Sequence, residues 1–592
     1  MLTKIEFDIL YRIMKNETKE VTQRGLSEFL GVSLGKINSA IKSLYQDGFL
    51  SGYSITAKGV DLLLPYKVDN AVIMAAGLSS RFAPLSYEKP KGLYEVKGEV
   101  LIERQIRQLK EVGINDIYIV VGYMKEKFFY LEDKFGVKII VNEDYYKYNN
   151  SSTLYLVKDF LKNTFICSSD NYFSENVFEN YIYDSYYSAV YSEGKTSEYC
   201  LTFGKNELIK SVSIGGEDQW YMLGHVYFSR TFSDKFVPLL EDVYSVSGDT
   251  EDKTKLWEDL YMRNIKTLRM YIRKYSNDTI FEFDSLDELR EFDANYIDNA
   301  DSEIMRNIAK VLNCETKEIR DIKPIKAGLT NVSFKFDCKG KSYVYRHPGK
   351  GTERYISRKS EAYSMQIAKE LGLDGTFIYM DANAGWKISS YLDNCREMDY
   401  HNDNDIDQAL SLIRTLHKAK IHSNWDFDIW SKTNDFVKRV SEVSNRMDFK
   451  DFDELYSLME KVYKKTEEDK FPKILCHCDS YSPNFITNDK QMNLIDWEYS
   501  GNDDPGSDLG TFICCSDYTY EEALNVLNLY FERELTYEEL RHFIGYIAIA
   551  SYYWFVWAIY QESIGSKVGE YLYLWYKNSK DYGRKALSMY EN

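Results

Sequence analysis

The residues best suited to chemistry lie within residues 474–510, where an apolar strand, a polar loop and a second apolar strand follow one another. His477 and Asp479 stand two apart, Asn484 comes five residues after the aspartate, and Asp496 ends the second apolar run. Phosphoryl transfer needs one carboxylate that accepts a hydroxyl proton, and an amide and a second carboxylate that hold Mg²⁺ on the phosphates. We therefore predict that Asp479 is the base, that Asn484 and Asp496 are metal ligands, and that His477 braces the loop.

A glycine-containing loop follows the apolar run at residues 71–76. A strand that leads into such a loop lets backbone N–H groups approach a triphosphate. Arg81 in the loop and Lys91 after it would neutralise charge as pyrophosphate leaves, so both are predicted to be catalytic. The loop residues that we predict to bind nucleotide are Ala76, Gly77, Ser79, Ser80 and Arg81.

The elements after this loop alternate between helix and strand, with a helix at 101–112 and strands at 117–121, 137–141 and 164–171. This alternation predicts a parallel, doubly wound sheet. Asp170 lies at the C-terminal end of the last of these strands, at the sheet edge where a Mg²⁺-phosphate site belongs. We predict that it is a metal ligand.

A second glycine turn, centred on Gly328, lies between two short strands at residues 325–334 and is suited to covering nucleotide phosphates. The next strand ends at Arg346, where a kinase needs a cation on the phosphates. Glu361 lies on a helix predicted at 360–371. We predict that Arg346 and Glu361 form an ion pair and that these residues, with Gly328, bind nucleotide.

Length and composition indicate a multidomain enzyme. The 592 residues suffice for about three or four domains, and the net charge of −18 argues against a protein that mainly coats nucleic acid. The nine cysteines are scattered and odd in number, which suits reduced thiols. The N-terminus shows no signal-peptide pattern, and the apolar run at 546–560 is short for a membrane span. We expect a cytoplasmic protein with no membrane partner.

We call residues 1–67 the head. Their pattern predicts helices around a turn, followed by a short hairpin. Apolar residues recur on one face of a helix predicted at 34–45. The pattern resembles the winged helix-turn-helix of bacterial transcription regulators, which implies DNA binding. A scaffold or dimerisation module is the alternative, because the would-be recognition helix offers only Lys36 and Lys42 to phosphates.

Between residues 69 and 297 the chain carries the motifs AAGLSSRF, KPK, VGY, NNSSTL, LWED and FEFDSLD. Together they resemble the sugar-nucleotide-type nucleotidyltransferases, and most of all the CTP:phosphocholine cytidylyltransferases of bacterial choline incorporation. The resemblance implies that Gly122 and Tyr123 of the VGY motif bind nucleotide. It also implies two carboxylate ligands around Mg²⁺.

Asp170 fits the first of these ligands. The second falls at Glu258, or at Asp259, where the family usually has Asp. Ser79 stands where the family normally has Gly, and this departure bears on the backbone path of the loop. The alternative is a generic Rossmann-like domain that binds another nucleotide.

Further motifs lie within residues 298–592: the HxDxxxxN loop at His477, the run IDWEYSG, the triplet DLG and the aromatic run at 551–561. They resemble the choline/ethanolamine kinases, relatives of the aminoglycoside phosphotransferases. In that family carboxylates and aromatic rings hold the amino alcohol. A quaternary ammonium has no N–H to donate, so aromatic faces and a nearby negative charge bind it. The residues predicted to bind choline are Glu498, Tyr499, Trp554 and Trp557.

The fold class implied is multidomain α/β: a winged helix at 1–67, a Rossmann-like nucleotidyltransferase domain at 68–297 and a kinase-like domain at 298–592. The resemblances imply a bifunctional enzyme with Mg²⁺ as its cofactor. It would use ATP to convert choline to phosphocholine, and CTP to convert phosphocholine to CDP-choline for decorating surface glycans. Ethanolamine or another amino alcohol is an alternative substrate, and a choline- or nucleotide-sensing regulator is an alternative class. The oligomeric state stays open.

Overall fold

The computed structural model describes residues 2–15, 22–52, 54–245, 250–298, 302–325, 331–349, 352, 356–443, 449–488, 491–564 and 568–591. The predicted turn at Gly328 lies outside these residues, as does the side chain of Ser80. The chain divides into two compact units, residues 1–307 and 308–592. Each unit is described by itself.

The head forms a small helical bundle with a short hairpin. Thr22 begins the second helix by accepting a hydrogen bond from the Gly25 N–H, and Ile37, Ile41 and Leu44 bury one face of the third. The helix and hairpin predicted from the sequence are present, while the winged-helix assignment stays a prediction. The elements are α1 (Lys4–Lys15), α2 (Gln23–Leu30), α3 (Leu34–Gln46), β1 (Leu50–Ser51), β2 (Ser54–Ile55) and α4 (Ala57–Leu63).

The rest of the first unit, named the sheet domain (residues 68–298), is a mixed sheet covered by helices on both faces. Its strands are β3 (Asn70–Ala75), β4 (Glu95–Val96), β5 (Glu99–Val100), β6 (Ile117–Val121), β7 (Lys138–Val141), β8 (Thr164–Ser168), β9 (Tyr172–Phe173), β10 (Tyr186–Phe203), β11 (Ile209–Phe228), β12 (Tyr271–Lys274) and β13 (Ile280–Phe281). Its helices are α5 (Leu85–Glu88), α6 (Leu101–Glu111), α7 (Tyr130–Phe135), α8 (Asn150–Leu156), α9 (Arg230–Val243), α10 (Thr250–Lys253), α11 (Trp257–Arg263), α12 (Leu286–Phe292) and α13 (Asn295–Asp298).

The main sheet has the strand order β12-β10-β11-β8-β3-β6-β7. Strands β8, β3, β6 and β7 are parallel, as predicted. Strand β11 runs antiparallel to β8 because β10 and β11 form one long hairpin, which returns the chain in the opposite direction. Successive side chains of β3 point to opposite faces, so Val72 and Ile73 belong to two different cores.

The second unit, named the two-lobed domain (residues 308–592), begins with a five-stranded antiparallel sheet of order β14-β15-β16-β18-β17 and continues into a helical lobe. Helix α14 (Glu303–Leu312) crosses the division between the units. The strands are β14 (Arg320–Ile325), β15 (Asn331–Cys338), β16 (Lys341–Pro348), β17 (Phe377–Met380), β18 (Lys387–Ser390), β19 (Arg396–Glu397), β20 (Ile474–Cys476), β21 (Phe485–Thr487), β22 (Met492–Leu494) and β23 (Gly501–Asp503). The helices are α15 (Arg358–Glu370), α16 (Asp403–Lys418), α17 (Ile429–Val443), α18 (Phe452–Glu468), α19 (Gly506–Cys514), α20 (Tyr520–Phe531), α21 (Tyr537–Ser563) and α22 (Tyr571–Glu591).

Helix α21 is the core of the helical lobe. It is the one helix in the described part of the chain that is long and apolar enough to cross a membrane, yet 89% of its most apolar stretch is buried inside the protein. A helix that is apolar on all sides is expected in a core. It packs closely on α19, where a Cβ on Gly510 would lie 2.5 Å from the carbonyl oxygen of Tyr546.

Candidate active sites

The nucleotide loop predicted after β3 lies at the carboxyl end of the parallel strands. Tyr123 donates its backbone N–H to the carbonyl of Ala76, so the loops after β3 and β6 touch. Gly122 is required there, because a Cβ would lie 2.7 Å from the Tyr145 ring. A cavity of about 190 Å³ lies beside the loop and is lined in part by Ala76 and Gly77. The structure therefore brings four of the predicted nucleotide residues together.

Ser79, which departs from the family pattern, has a φ of 48°. This left-handed conformation is the one that favours glycine, since a Cβ is disfavoured there. The serine thus follows the backbone path of a glycine, and the loop continues into a short 3₁₀ turn, Ser80–Phe82.

Lys91 and Asp170 form a buried ion pair at the end of β8, with 2.8 Å between Nζ and Oδ2. The two segments approach closely because Gly92 has no side chain; a Cβ there would lie 2.8 Å from Ser169. Burial opposes the charge of Lys91, but the carboxylates of Asp170 and then Glu282 raise its pKa. The lysine is therefore held as a cation at the predicted metal site.

Glu282 and Asp284 complete this site, and sequence reasoning did not assign them. Pairing of β13 with β9 carries Glu282 to Asn171, whose amide donates to it at 3.4 Å. Glu282 is exposed at the surface, and partial desolvation of its carboxylate and then the charge of Asp170 raise its pKa to about 7. Asp284 lies 3.3 Å from the exposed guanidinium of Arg81. The FEFDSLD motif was the available signal, because alternate residues of an extended segment point the same way.

Glu258 has different neighbours. It accepts hydrogen bonds from Asn150 and from the Tyr187 hydroxyl, each at 3.2 Å, and burial raises its pKa to about 7. Among the described residues, no hydrogen bond or ion pair joins Glu258 to Asp170. Asp259 accepts the N–H of Leu256 and so caps its own helix. That either shares a metal with Asp170 stays a prediction.

The kinase-type loop is the second candidate site. Asn484 donates its amide to Asp479 at 2.9 Å. Burial raises the pKa of Asp479 well above its usual value, and the nearby carboxylate of Asp496 raises it further. His477 contacts the carbonyl of Ile495 at 2.9 Å and receives the Asp479 N–H at 3.3 Å. These contacts are those of a residue that braces the loop.

Asp508 fixes the backbone of the same loop through hydrogen bonds. It accepts the backbone N–H groups of His477 at 3.0 Å and Cys478 at 2.6 Å, and it contacts the His417 ring at 2.9 Å. Burial alone would raise the pKa of Asp508, but the hydrogen bond and charge of His417 lower it. Sequence reasoning did not find His417, which lies far away in the chain on α16.

Cations surround Asp496 and Glu361. The predicted ion pair is present, with Arg346 at 2.5 Å from Glu361, and Arg346 also lies 3.2 Å from Asp496. Lys387 lies 3.5 Å from both carboxylates. Burial would raise the pKa of Glu361, but Arg346 and Lys387 lower it to about 2. Lys387 was missed because only the register of β16 with β18 places it opposite Arg346.

The predicted choline residues separate into two groups. The ring centroid of Trp554 lies 6.0 Å from that of Tyr499 and 5.5 Å from that of Trp557, so the two buried indole rings and the partly buried Tyr499 ring form one cluster. Glu498 instead contacts the cation cluster, accepting hydrogen bonds from Asn331 at 3.0 Å and Arg358 at 3.4 Å. The negative charge of Glu498 is therefore already offset by nearby arginine side chains.

Comparisons with known proteins agree with both halves of this description. Residues 71–189 match the family model of the MobA-like NTP transferase domain. Residues 322–550 match the model of the choline/ethanolamine kinases. The predicted nucleotidyltransferase and kinase-like fold classes are thus confirmed.

Individual relatives were found for each half. Choline-phosphate cytidylyltransferase of Streptococcus pneumoniae is 37% identical over 223 residues, which are 38% of this chain and 96% of the relative. 2-Aminoethylphosphonate cytidylyltransferase of Lancefieldella rimae is 34% identical, over 38% of this chain and 93% of the relative. The crystal structure of choline kinase LicA from Streptococcus pneumoniae aligns at 22% identity and a TM-score of 0.40, over 49% of this chain and 97% of that one.

One chain therefore carries two domains with separate acidic sites, the first at Asp170 and the second at Asp479. Through its sheet domain the chain belongs to the choline-phosphate cytidylyltransferase family, and residues 322–550 of the same chain match the choline/ethanolamine kinase model.

Proposed function

We propose that the chain is a bifunctional enzyme that makes CDP-choline. Its two-lobed domain phosphorylates choline with ATP, and its sheet domain transfers the cytidylyl group of CTP to phosphocholine with release of pyrophosphate. The observation that carries this proposal is the presence of both families in one chain, because the product of the second domain is the substrate of the first.

In the kinase step, Asp479 accepts the proton of the choline hydroxyl as that oxygen attacks the γ-phosphorus of ATP, and the bond from this phosphorus to the bridging oxygen breaks to release ADP. Asn484 orients Asp479 through its hydrogen bond. Arg346, fixed by Glu361, and Lys387 offset phosphate charge. The ring cluster of Tyr499, Trp554 and Trp557 binds the trimethylammonium group.

In the cytidylyl step, the phosphate of phosphocholine attacks the α-phosphorus of CTP. Lys91 offsets the charge that develops on that phosphate, and Arg81 binds the departing pyrophosphate. The loop through Ala76 and Gly77 presents backbone N–H groups to the triphosphate, and the adjoining cavity takes part of the nucleotide.

Both sites fit Mg²⁺. In the sheet domain, Asp170 pairs with Lys91, while the exposed Glu282 accepts only the Asn171 amide among the described hydrogen bonds. This surplus of carboxylate oxygens matches a hard divalent ion with oxygen ligands. When bound, the ion would offset phosphate charge. Asp170, Glu282 and Asp284 would hold it there, and Asn484 and Asp496 would hold it in the two-lobed domain.

A paired substitution decides the second carboxylate of the sheet domain. Glu282→Gln is expected to raise the Mg²⁺ concentration for half-maximal CDP-choline formation by roughly 10–100-fold. Glu258→Gln is expected to leave it unchanged, because Glu258 is bound to Asn150 and Tyr187. Titration of each variant with Mg²⁺ at saturating CTP measures this. The reverse pattern would return the ligand role to Glu258.

The function itself is tested with purified protein, choline, ATP, CTP and Mg²⁺, following phosphocholine and CDP-choline by mass spectrometry. Phosphocholine is expected without CTP, and CDP-choline when CTP is added. Parallel reactions with ethanolamine and 2-aminoethylphosphonate test the rival substrates. If wild-type protein forms neither product from any of them, the proposal fails and a sensing role takes its place.

Delivery of the product to surface glycans and a cytoplasmic location form part of this proposal and rest on the family resemblance. DNA binding by the head has no support beyond its helix pattern, so we do not include it in the proposed function.

A further inference from the structure

We infer that Lys387 is a temporary counterion of Asp496: it neutralises this carboxylate until a divalent ion binds there, and it then pairs with the nucleotide phosphates. The inference rests on the proposed function and makes metal binding and nucleotide binding in the two-lobed domain depend on each other. It follows from the pairing of three cations with three carboxylates, namely Arg346, Arg358 and Lys387 with Glu361, Asp496 and Glu498.

Two like charges of this cluster lie directly opposite each other in the five-stranded sheet. The register of β16 with β18 pairs Arg346 with Lys387, and the two residues are only 5% and 9% exposed. Like charges that face one another across two strands are destabilising, and a buried charge needs a partner. The pair is therefore stable only while anions neutralise both members.

Arg346 has a permanent partner. Its guanidinium lies 2.5 Å from one oxygen of the fully buried Glu361, whose other oxygen lies 2.8 Å from Arg358. Arg346 also donates to the backbone carbonyl of Gly385 at 3.3 Å. Both oxygens of Glu361 are thus bound by arginine, and Arg346 is fixed in place.

Lys387 is held more loosely than Arg346. Its ammonium lies 3.5 Å from Glu361 and 3.5 Å from Asp496, and no ion pair among the described residues brings a carboxylate closer to it. Strong bonds between an ammonium and a carboxylate measure roughly 2.7–2.9 Å. A lysine also has a flexible stem and donors that rotate. Lys387 is therefore the cation of the pair that can turn to a new partner.

Asp496 is the carboxylate of this cluster that a ligand can reach. Its side chain is 35% exposed, against 0% for Glu361 and 3% for Glu498. Its Oδ1 atom lies 3.2 Å from Arg346 and 3.5 Å from Lys387. A divalent ion that approaches this oxygen is repelled by two positive charges at short range. We therefore expect a metal ion alone to bind weakly at Asp496.

A nucleotide removes this obstacle. The three cations and three carboxylates balance one another, so a divalent ion at Asp496 leaves a surplus of positive charge. Phosphate oxygens supply the missing negative charge, and Lys387 donates to them once the ion has taken its place at Asp496. Because coupling between two ligands is reciprocal, the ion raises the affinity for nucleotide by the same factor as the nucleotide raises the affinity for the ion.

The test uses full-length protein with Mn²⁺ and AMP-PNP, an ATP analogue that is not hydrolysed, as probes. Electron paramagnetic resonance measures Mn²⁺ binding without nucleotide, and calorimetry measures AMP-PNP binding at saturating Mn²⁺. Asp496→Asn identifies the part of each signal that belongs to this site. Lys387→Met is expected to tighten Mn²⁺ binding at least about tenfold, because a nearby positive charge is lost. It is expected to weaken AMP-PNP binding by roughly tenfold or more, because a charged donor to phosphate is lost.

Lys387→Arg keeps the positive charge and is expected to bind Mn²⁺ as weakly as wild type. Lys341→Met is the matched control, because Lys341 is an exposed lysine at the first residue of β16 and its removal changes the net charge equally. Both of its affinities should equal those of wild type. The unfolding temperature checks that each variant folds, and Lys387→Gln replaces Lys387→Met if the latter does not.

The opposite directions of the two expected effects separate this role from a merely structural one, which would weaken both affinities. The inference is overturned if Lys387→Met leaves Mn²⁺ binding unchanged or weakens it, if AMP-PNP binds this variant as tightly as wild type, or if wild-type protein binds no AMP-PNP at this site. The measurements use no choline, so a failure of the proposed choline phosphorylation leaves their outcome unaffected.

Discussion

Replacement of Asp479 by Asn is expected to lower kcat for choline phosphorylation by about 10²–10⁴-fold. The amide keeps the size of the carboxylate but cannot accept the hydroxyl proton, and the hydrogen bond from Asn484 positions Asp479 for that task. Phosphocholine formation from choline and ATP, followed by mass spectrometry, measures the loss. Cytidylyl transfer to added phosphocholine should proceed at the wild-type rate, since it takes place in the other domain.

Asp517→Asn is the matched control, because this exposed carboxylate of the helical lobe contacts only the His401 ring among the described hydrogen bonds. Its rate should stay within error of wild type. If Asp479→Asn phosphorylates choline as fast as Asp517→Asn, the base must be sought elsewhere in the loop.

Replacement of Lys91 by Met is expected to lower kcat for CDP-choline formation by about 10²–10³-fold, the usual effect of removing one charge-stabilising group. Methionine fills similar space but leaves the Asp170 carboxylate without the ammonium now 2.8 Å away. Conversion of added phosphocholine and CTP to CDP-choline measures this, while choline phosphorylation should be unaffected.

Lys125→Met is the comparison, because Lys125 is paired with Glu143 on the surface of the same domain. An equal loss of rate in both variants would show a general effect on the domain. An unchanged rate in Lys91→Met would remove the lysine from the reaction.

The parts of the molecule that the sequence predicts well are those with a strong local signal. Strand β6 covers the predicted residues 117–121, and helix α6 begins at the predicted Leu101, because buried parallel strands and amphipathic helices have distinct apolar periods. The loop that contains Asp479 could also be predicted from the sequence, since the spacing of its residues is set by one turn between two strands.

The residues that were missed reach their sites through pairings between distant segments. Lys387 meets Asp496 because β18 pairs with β16, and Glu282 meets Asp170 because β13 pairs with β9. Strand register depends on the packing of whole sheet faces, which a single sequence does not display. For the same reason the sequence analysis considered only Glu258 and Asp259 as the second ligand and did not consider Glu282, which strand pairing brings to this site.

The close packing at Gly510 has a consequence for how this enzyme can change. The helix that meets this glycine also carries Trp554 and Trp557, so the proposed choline contacts and the packing of the lobe share one element. A shift of that helix large enough to admit a Cβ at Gly510 would also move the two indole rings. If the proposed choline contacts hold, substrate preference is expected to vary most readily at Tyr499, which lies on a different segment and can change without moving this helix.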